Sequence, residues 1–403
     1  MPPTSLTRRL GLADAVFLGL GSMIGAGVFA AFAPAARAAG AGLLIALVLA
    51  ALVAYCNATS SARLAAIHPE SGGTYVYGRE RLGEFWGYLA GWGFVTGKTA
   101  SCAAMTLTVV AYAAPGLGQP WRSLLAVAVV AALTAVNYFG VHRSALATRV
   151  IVSCTLLVLT VAAVTMAAGP HAGGPLVTWP GGGGVLEAAG LLFFAFAGYA
   201  RLATLGEEVR DPTHTIPRAI PLALGITLVV YAALAVLLLV RLGPAALAAS
   251  PDPIAAAVPG GLAPVVRVGA AVAALGSLLA LILGVSRTTL AMSRDGHLPR
   301  FLAAVHPRYQ VPHRAELAVG LVVAVLAASI DLRAAIGFSS FAVLTYYAIA
   351  NAAALTLKGK VRAALGLAGC VVLAFSLPLP SVLAGGGVLV LGASAYGVRR
   401  IRR

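Results

Sequence analysis

The chain reads as an all-α polytopic membrane protein of about twelve transmembrane helices, and three observations predict it. It is 60% hydrophobic and only 10% charged over 403 residues, with a mean hydropathy of +0.94. Soluble domains are roughly a quarter charged, because their surfaces must meet water. The apolar residues fall into runs each long enough to cross a hydrocarbon core of ~30 Å. The basic residues are distributed unevenly between those runs.

The spans fall at 12–36, 41–66, 84–112, 121–139, 146–168, 185–207, 218–241, 264–290, 315–331, 333–356, 361–377 and 381–398, the pair after residue 360 being short. With both ends on one side, Arg37, Arg122, Arg241, Arg267 and Arg333 lie on the opposite side and Lys98 lies within a span, while the remaining Lys and Arg lie on the N-terminal side. That asymmetry predicts a cytoplasmic-membrane protein with both termini in the cytoplasm. The formal charge of +16, from 28 Lys+Arg against 12 Asp+Glu, would in a soluble protein point to nucleic acid. Here the charges are topology signals scattered over short loops, so the expected partner is the lipid bilayer and no nucleic acid.

Arg8 and Arg9 before an apolar run imitate a signal peptide, but the run is longer than an h-region and is kept as span 1. Cys56, Cys102, Cys154 and Cys370 lie in apolar stretches without metal-ligand spacing. They read as small buried hydrophobes, with no metal and no cofactor expected. Polar connections follow at 67–83, 169–184, 208–217, 243–263 and 294–314, and none is long enough for a soluble domain.

Two spans are interrupted. "GLGSMIGAGVF", Gly19 to Phe29, places four glycines in span 1, although each weakens a helix by about 1 kcal/mol relative to alanine. "FFAFAGYAR", Phe193 to Arg201, interrupts span 6. Five spans separate the two positions, and an odd number gives the halves opposite membrane orientations. A matched pair of interrupted spans points to an inverted-repeat transporter and its binding site. A packing face is the competing reading, because Gly21 and Gly25 satisfy a GxxxG spacing. A dinucleotide fingerprint is excluded, since GxGxxG is incomplete and no strand precedes it.

At these residues the chain resembles the amino acid–polyamine–organocation (APC) permease superfamily. "GSMIGAGVF" resembles the family's GxIIGxGIF, with Ala26 where serine is common. "HPESGGTYVYGRERLGEFWGYLAGW" resembles its first cytoplasmic loop, and "SRTTLAMSRDGHLPRFLAAVHPRYQVP" the loop after helix 8. The most specific match is "FFAFAGYARLATLGEEVRDPTHTIPRAI". The resemblance covers about residues 8–360 and implies the LeuT-type fold. Helices 1–5 and 6–10 then form inverted repeats within a transporter core, residues 1–360, whose halves divide near 169–184. Residues 361–403 supply peripheral helices 11 and 12 and a basic tail.

It also implies an amino acid or related amine held at the midplane. Freed amides near Gly25, Ala26 and Gly27 would receive the carboxylate, helped by a half-helix dipole. Carbonyls near Met23, Ile24, Phe193, Phe194 and Ala197 would receive the ammonium. Glycine at 25, 27 and 198 is expected to give φ freedom and close approach. Phe196 and Tyr199 are candidates for an aromatic gate or side-chain pocket. On this reading, valine at 25 or 27 abolishes binding while leaving the protein folded, and Gly19→Ala is mild.

The chain also departs from the family. Many relatives carry Asp or Glu at the position of Ala200, and here Arg201 follows. Arg201 either pairs with Glu207 or Glu208 near the cytoplasmic end or contributes to an inner gate. Proton-coupled, sodium-independent relatives often carry a lysine in helix 5, where this chain has Thr155. Lys98, in "GWGFVTGKTASCAAM", lies ~21 Å into span 3 at 1.5 Å per residue. An ammonium at that depth costs at least ~2.5 kcal/mol, which marks a functional group. Lys98 is either a fixed cation or proton-coupling site, or a structural lysine bonded to helix-end carbonyls. For sodium, Ser277 and Ser286 offer no adjacent hydroxyl pair that could complete an oxygen cage.

The spans hold no Ser/His/Asp set, no HExxH and no paired carboxylates, so enzyme chemistry is not expected. The expectation is a sodium-independent secondary transporter, proton-coupled or exchanging, for a neutral or apolar amino acid. A cationic amino acid or polyamine carrier is the alternative, and a substrate-binding sensor without transport is a third class.

Overall fold

The computed structural model describes residues 10–68, 72–140, 145–170, 182–199, 202 and 209–401. They form α1 (Leu12–Met23), α2 (Gly27–Ala30), α3 (Phe32–Ala39), α4 (Leu43–Ile67), α5 (Thr74–Leu82), α6 (Glu84–Ala113), α7 (Trp121–Tyr138), α8 (Ala145–Ala168) and α9 (Gly182–Phe196). There follow α10 (Pro212–Ala249), α11 (Pro253–Ala257), α12 (Ala263–Arg294), α13 (His313–Ser329), α14 (Leu332–Ala354), α15 (Val361–Phe375) and α16 (Leu379–Ile401). Among the described residues the only β pairing is an isolated parallel bridge between Leu10 and Val209. A bilayer core leaves an unpaired backbone no water to bond, so helices are the form expected of such a chain.

Each of the twelve spans has a helical counterpart, and nine stretches are long and apolar enough to cross a membrane among the described residues. One of those stretches, Phe32–Ile67, joins α3 to α4 in 36 residues. As one straight helix it would measure ~54 Å, too long for a single crossing. Gly40, at φ +54° and ψ −130°, ends α3 and divides the stretch. Span 1 is therefore α1, α2 and α3 in series, and α4 is span 2.

The proline-rich connection at 243–263 is more ordered than the sequence suggests. α10 kinks at Gly243 (φ 70°) and resumes, and α11 follows with a proline at its start.

Two helices dominate the middle. α6 is buried along most of its length and packs against α12 and α14. α10 packs against α1, α3 and α4. The outer faces of α7, α8, α13 and α16 carry exposed leucine and valine, including Leu124, Leu157, Leu321 and Leu391, as a lipid-facing surface requires. Cys102 and Cys370 are buried as expected, whereas Cys154 is exposed on α8. It lines a shallow groove between α8 and α12 with Val158, Val265 and Val268, and Cys56 is only half-buried.

Buried polar side chains tie the layers. Asn351 Nδ2 on α14 donates to Asn57 Oδ1 on α4 at 2.6 Å. Gly366 on α15 leaves room for this pair, since a Cβ there would stand 2.6 Å from Asn351 Oδ1. At the N-terminal end, Arg149 on α8 pairs with Asp14 on α1 at 2.5 Å. At the other end Arg333 on α14 pairs with Glu187 on α9.

Candidate functional site

α1 stops at Met23 and α2 resumes at Gly27, so Ile24, Gly25 and Ala26 carry the interruption of span 1. It lies ~18 Å from the start of α1 at 1.5 Å per residue, near mid-membrane. Among the described residues the N–H groups of Gly25 and Ala26 find no acceptor. Span 6 is interrupted at a matching place. α9 ends at Phe196 and Ala197–Tyr199 tighten into a 3₁₀ turn. α1 packs directly on that turn, and α2 packs on α9, so the structure brings the two interruptions together.

The interruption of span 1 uses ordinary right-handed geometry, with Ile24 at φ −83°, ψ 4° and Ala26 at φ −90°, ψ −28°. None of Gly25, Gly27 and Gly198 has a positive φ. The expected φ freedom is therefore not what these glycines supply; they supply close approach. A Cβ on Gly25 would overlap Ser277 Oγ, and one on Gly27 would stand 2.7 Å from Ala195 Cα. A Cβ on Gly198 would overlap the Ser22 carbonyl and lie 2.8 Å from Met23 Cγ. Gly19 and Gly21 are packed less severely, at 2.8 Å from the tip of Leu202 and 3.0 Å from Val152 Cγ2. Close packing thus accounts for glycine at both 25 and 27.

The carbonyls released by the interruptions are bonded by side chains from elsewhere. Ser277 Oγ on α12 donates toward Gly21 O at 2.8 Å and Ala273 O at 3.1 Å. The Tyr231 hydroxyl on α10 bridges Met23 O (2.6 Å) and Ala195 O (3.1 Å). Ser22 Oγ reaches Gly198 O at 2.8 Å. On the span 6 side, Lys98 Nζ donates to Ala197 O at 3.1 Å and the Tyr347 hydroxyl to the same oxygen at 3.3 Å. Such bonds are strong at depth, where an unpaired carbonyl has no water to turn to.

Aromatic rings wall the interruptions. Phe196 lies 5.1 Å from Tyr231, Tyr199 4.9 Å from Tyr347, and Phe193 5.7 Å from Tyr347 between ring centroids. Met23, Ile24, Ala26, Phe193, Phe194, Phe196, Ala197 and Tyr199 are all buried. Lys98 and Ser277, both singled out by sequence, touch the interruptions directly. Arg201 lies outside the described residues, as do Ala200, Glu207 and Glu208.

The sequence reading missed Tyr231, Tyr347 and Ser22. Tyr231 sits alone in an apolar span and Tyr347 follows Tyr346 in another, neither in a motif, and their only signal is chemical. A phenol at membrane depth must find an acceptor. Among the described residues no group of three His, Cys, Asp or Glu could hold a metal ion.

Comparison with known proteins bears on this arrangement. A family model described as amino acid permease matches residues 10–391. An uncharacterized transporter of Mycobacterium tuberculosis H37Rv is 66% identical over 417 aligned positions, covering 99% of this chain and 93% of the relative. The branched-chain amino acid permease of Bacillus subtilis 168 is 28% identical, over 88% of this chain and 82% of its own length. The vacuolar cationic amino acid transporter 4 of Arabidopsis thaliana is 30% identical, over 82% of this chain and 60% of its own.

Proposed function

We propose, for a chain that belongs to the amino acid permease family of the APC superfamily, that the paired interruptions hold a neutral or apolar amino acid at mid-membrane and pass it across by alternating access. The observation that carries this reading is the convergence on Ala197 O. A lysine ammonium, a tyrosine hydroxyl and an aromatic wall meet there, and on the span 1 side the N–H groups of Gly25 and Ala26 are unbonded among the described residues. Those amides suit a carboxylate, and the carbonyls of Met23, Ala195 and Ala197 suit an ammonium.

Lys98 shapes the specificity and the coupling. It places a fixed positive charge beside the pocket, and like charge opposes a cationic side chain there. Its ammonium already occupies a carbonyl suited to the substrate's own. Protonated Lys98 turns from Ala197 O to the substrate carboxylate and leaves that carbonyl to the substrate's ammonium, so substrate and proton load together from the acidic side. Once the substrate has left, Lys98 gives its proton to the cytoplasm, which couples uptake to protons without sodium. Helices 1–5 and 6–10 act as inverted repeats, because the two interruptions face each other across one site. Both termini are cytoplasmic on the positive-inside distribution.

The test is purified protein in liposomes, with labelled leucine, arginine and putrescine offered across an imposed pH gradient. The expected result is leucine accumulation that grows as the outside is acidified, and leucine counterflow. Uptake confined to arginine or putrescine overturns the neutral preference and favours the carrier class of the Arabidopsis relative. Binding without accumulation of any of them makes the protein a sensor.

A further inference from the structure

Far from the interruptions, a cavity of about 420 Å³ opens between the start of α6, the end of α16 and the turn after α12. Its lining includes Glu84, Trp86, Tyr88, His297, Arg399 and Arg400. α16 is held against α6 at this place. Trp92 Nε1 donates to Val388 O at 2.8 Å, and Tyr396 stacks on Phe85 and Tyr88 at 5.4 and 5.0 Å. The cavity is therefore a formed cleft between packed helices.

Its charge is lopsided. Arg399 Nη1 donates to Gly296 O at 3.2 Å, which aims the guanidinium at the cavity wall while leaving its other N–H groups to bond elsewhere. Arg400 is exposed beside it and has no acidic partner among the described residues. The acids nearby are engaged. Glu84 Oε1 lies 3.5 Å from His297 Nε2, and Asp295 Oδ2 accepts from the Tyr75 hydroxyl at 2.5 Å and lies 3.6 Å from Arg79 Nη1.

Its position is the membrane edge. On α16 the lipid-facing Leu383, Leu391 and Val398 are 65%, 67% and 50% exposed, and the two arginines follow directly. On α6 the exposed Trp86 sits at the same level, as interfacial tryptophans do. A site that opens toward headgroups, with paired guanidinium groups and aromatic walls, has the chemistry of phosphate recognition.

We propose that this cavity holds the headgroup phosphate of an anionic phospholipid of the phosphatidylglycerol type, with Arg399 and Arg400 on the phosphate oxygens and Tyr88 and Tyr396 against the glycerol. The bound lipid bridges α16 to α6 and to the turn leaving α12, so it clamps a helix outside the inverted repeats onto the core.

The test is thermal unfolding of the full chain in nanodiscs of phosphatidylcholine alone, or of equal parts phosphatidylcholine and phosphatidylglycerol. Phosphatidylglycerol raises the melting temperature of the wild type. Arg400→Gln melts like wild type in phosphatidylcholine, Arg399→Gln/Arg400→Gln starts lower because it also loses the bond to Gly296 O, and both lose most of the increment. Glu84→Gln, which removes the one carboxylate lining the cavity, enlarges it. An increment of equal size in the double variant overturns the site. An increment produced by free glycerol phosphate in phosphatidylcholine discs, with none from phosphatidylglycerol, overturns the lipid as its occupant.

Discussion

The two interrupted spans differ in what completes them. In span 1 the helix pauses for three residues without leaving right-handed geometry, and neutral hydroxyls from Ser277 and Tyr231 take its carbonyls. In span 6 the chain tightens into a 3₁₀ turn, and a charged ammonium takes the carbonyl of Ala197. Both are held by hydroxyls and close packing, and span 6 alone adds a charge. Both should therefore respond to volume, and only the second to protonation and to the substrate's own ammonium.

The sharpest way to break this contrast is at Gly25. Valine there has no space beside Ser277, and overpacking of this kind costs ~1–3 kcal/mol or more. Gly25→Val should lose monodisperse protein on size exclusion, and not binding alone. Gly25→Ala combined with Ser277→Gly should restore part of it, because the Ser277 side-chain atoms are gone while the Gly21 carbonyl remains 2.8 Å from the added Cβ. A normal yield of folded Gly25→Val removes the shape argument.

Lys98→Met comes next. A hydrogen bond to a charged group is worth ~1.5–3 kcal/mol, so uptake should fall ~10–100-fold while the protein stays folded. The pH profile of the residual activity should flatten. Unchanged uptake and an unchanged profile would make Lys98 purely structural.

Tyr231→Phe touches both interruptions at once, since its hydroxyl reaches Met23 O and Ala195 O. Loss of one such neutral bond is worth ~1 kcal/mol, so KM should rise ~5-fold with a smaller change in maximal rate. Ser277→Ala removes a bond on the span 1 side alone, and should lower stability by ~1 kcal/mol with little effect on the pH profile. A pH-dependent defect in Ser277→Ala would erase the distinction between the two interruptions. Smallest of all is Arg149→Gln at the mouth of α1, where the arginine is 45% exposed. Such pairs contribute at most ~1 kcal/mol, and the effect should shrink as salt is raised.

Much of this architecture was legible from composition and pattern. Each of the twelve apolar runs has a helical counterpart, most within a few residues of the expected bounds, because bilayer thickness and backbone pairing leave little choice. The helix of span 7 runs further at both ends, to Pro212–Ala249, and the expected end of span 6 lies outside the described residues. The interruptions at 24–26 and 197–199 were legible too, from a cluster of four glycines in span 1 and from the matching FFAFAGYAR stretch around Gly198 in span 6. The conformational role assigned to those glycines was not. Gly25 reads identically whether it adopts a left-handed turn or lies against a serine 252 positions away, and only the packed helices distinguish the two.

What the sequence determined by itself is what local and solvent forces dictate: helices throughout, their lengths, and the two places where they give way. What only the tertiary structure decided is which side chains complete those places. Tyr231, Tyr347, Lys98 and Ser277 come from four different helices and converge on two short segments. No local pattern encodes that meeting, because the need it answers, a carbonyl without water, exists only once the helices are packed around it.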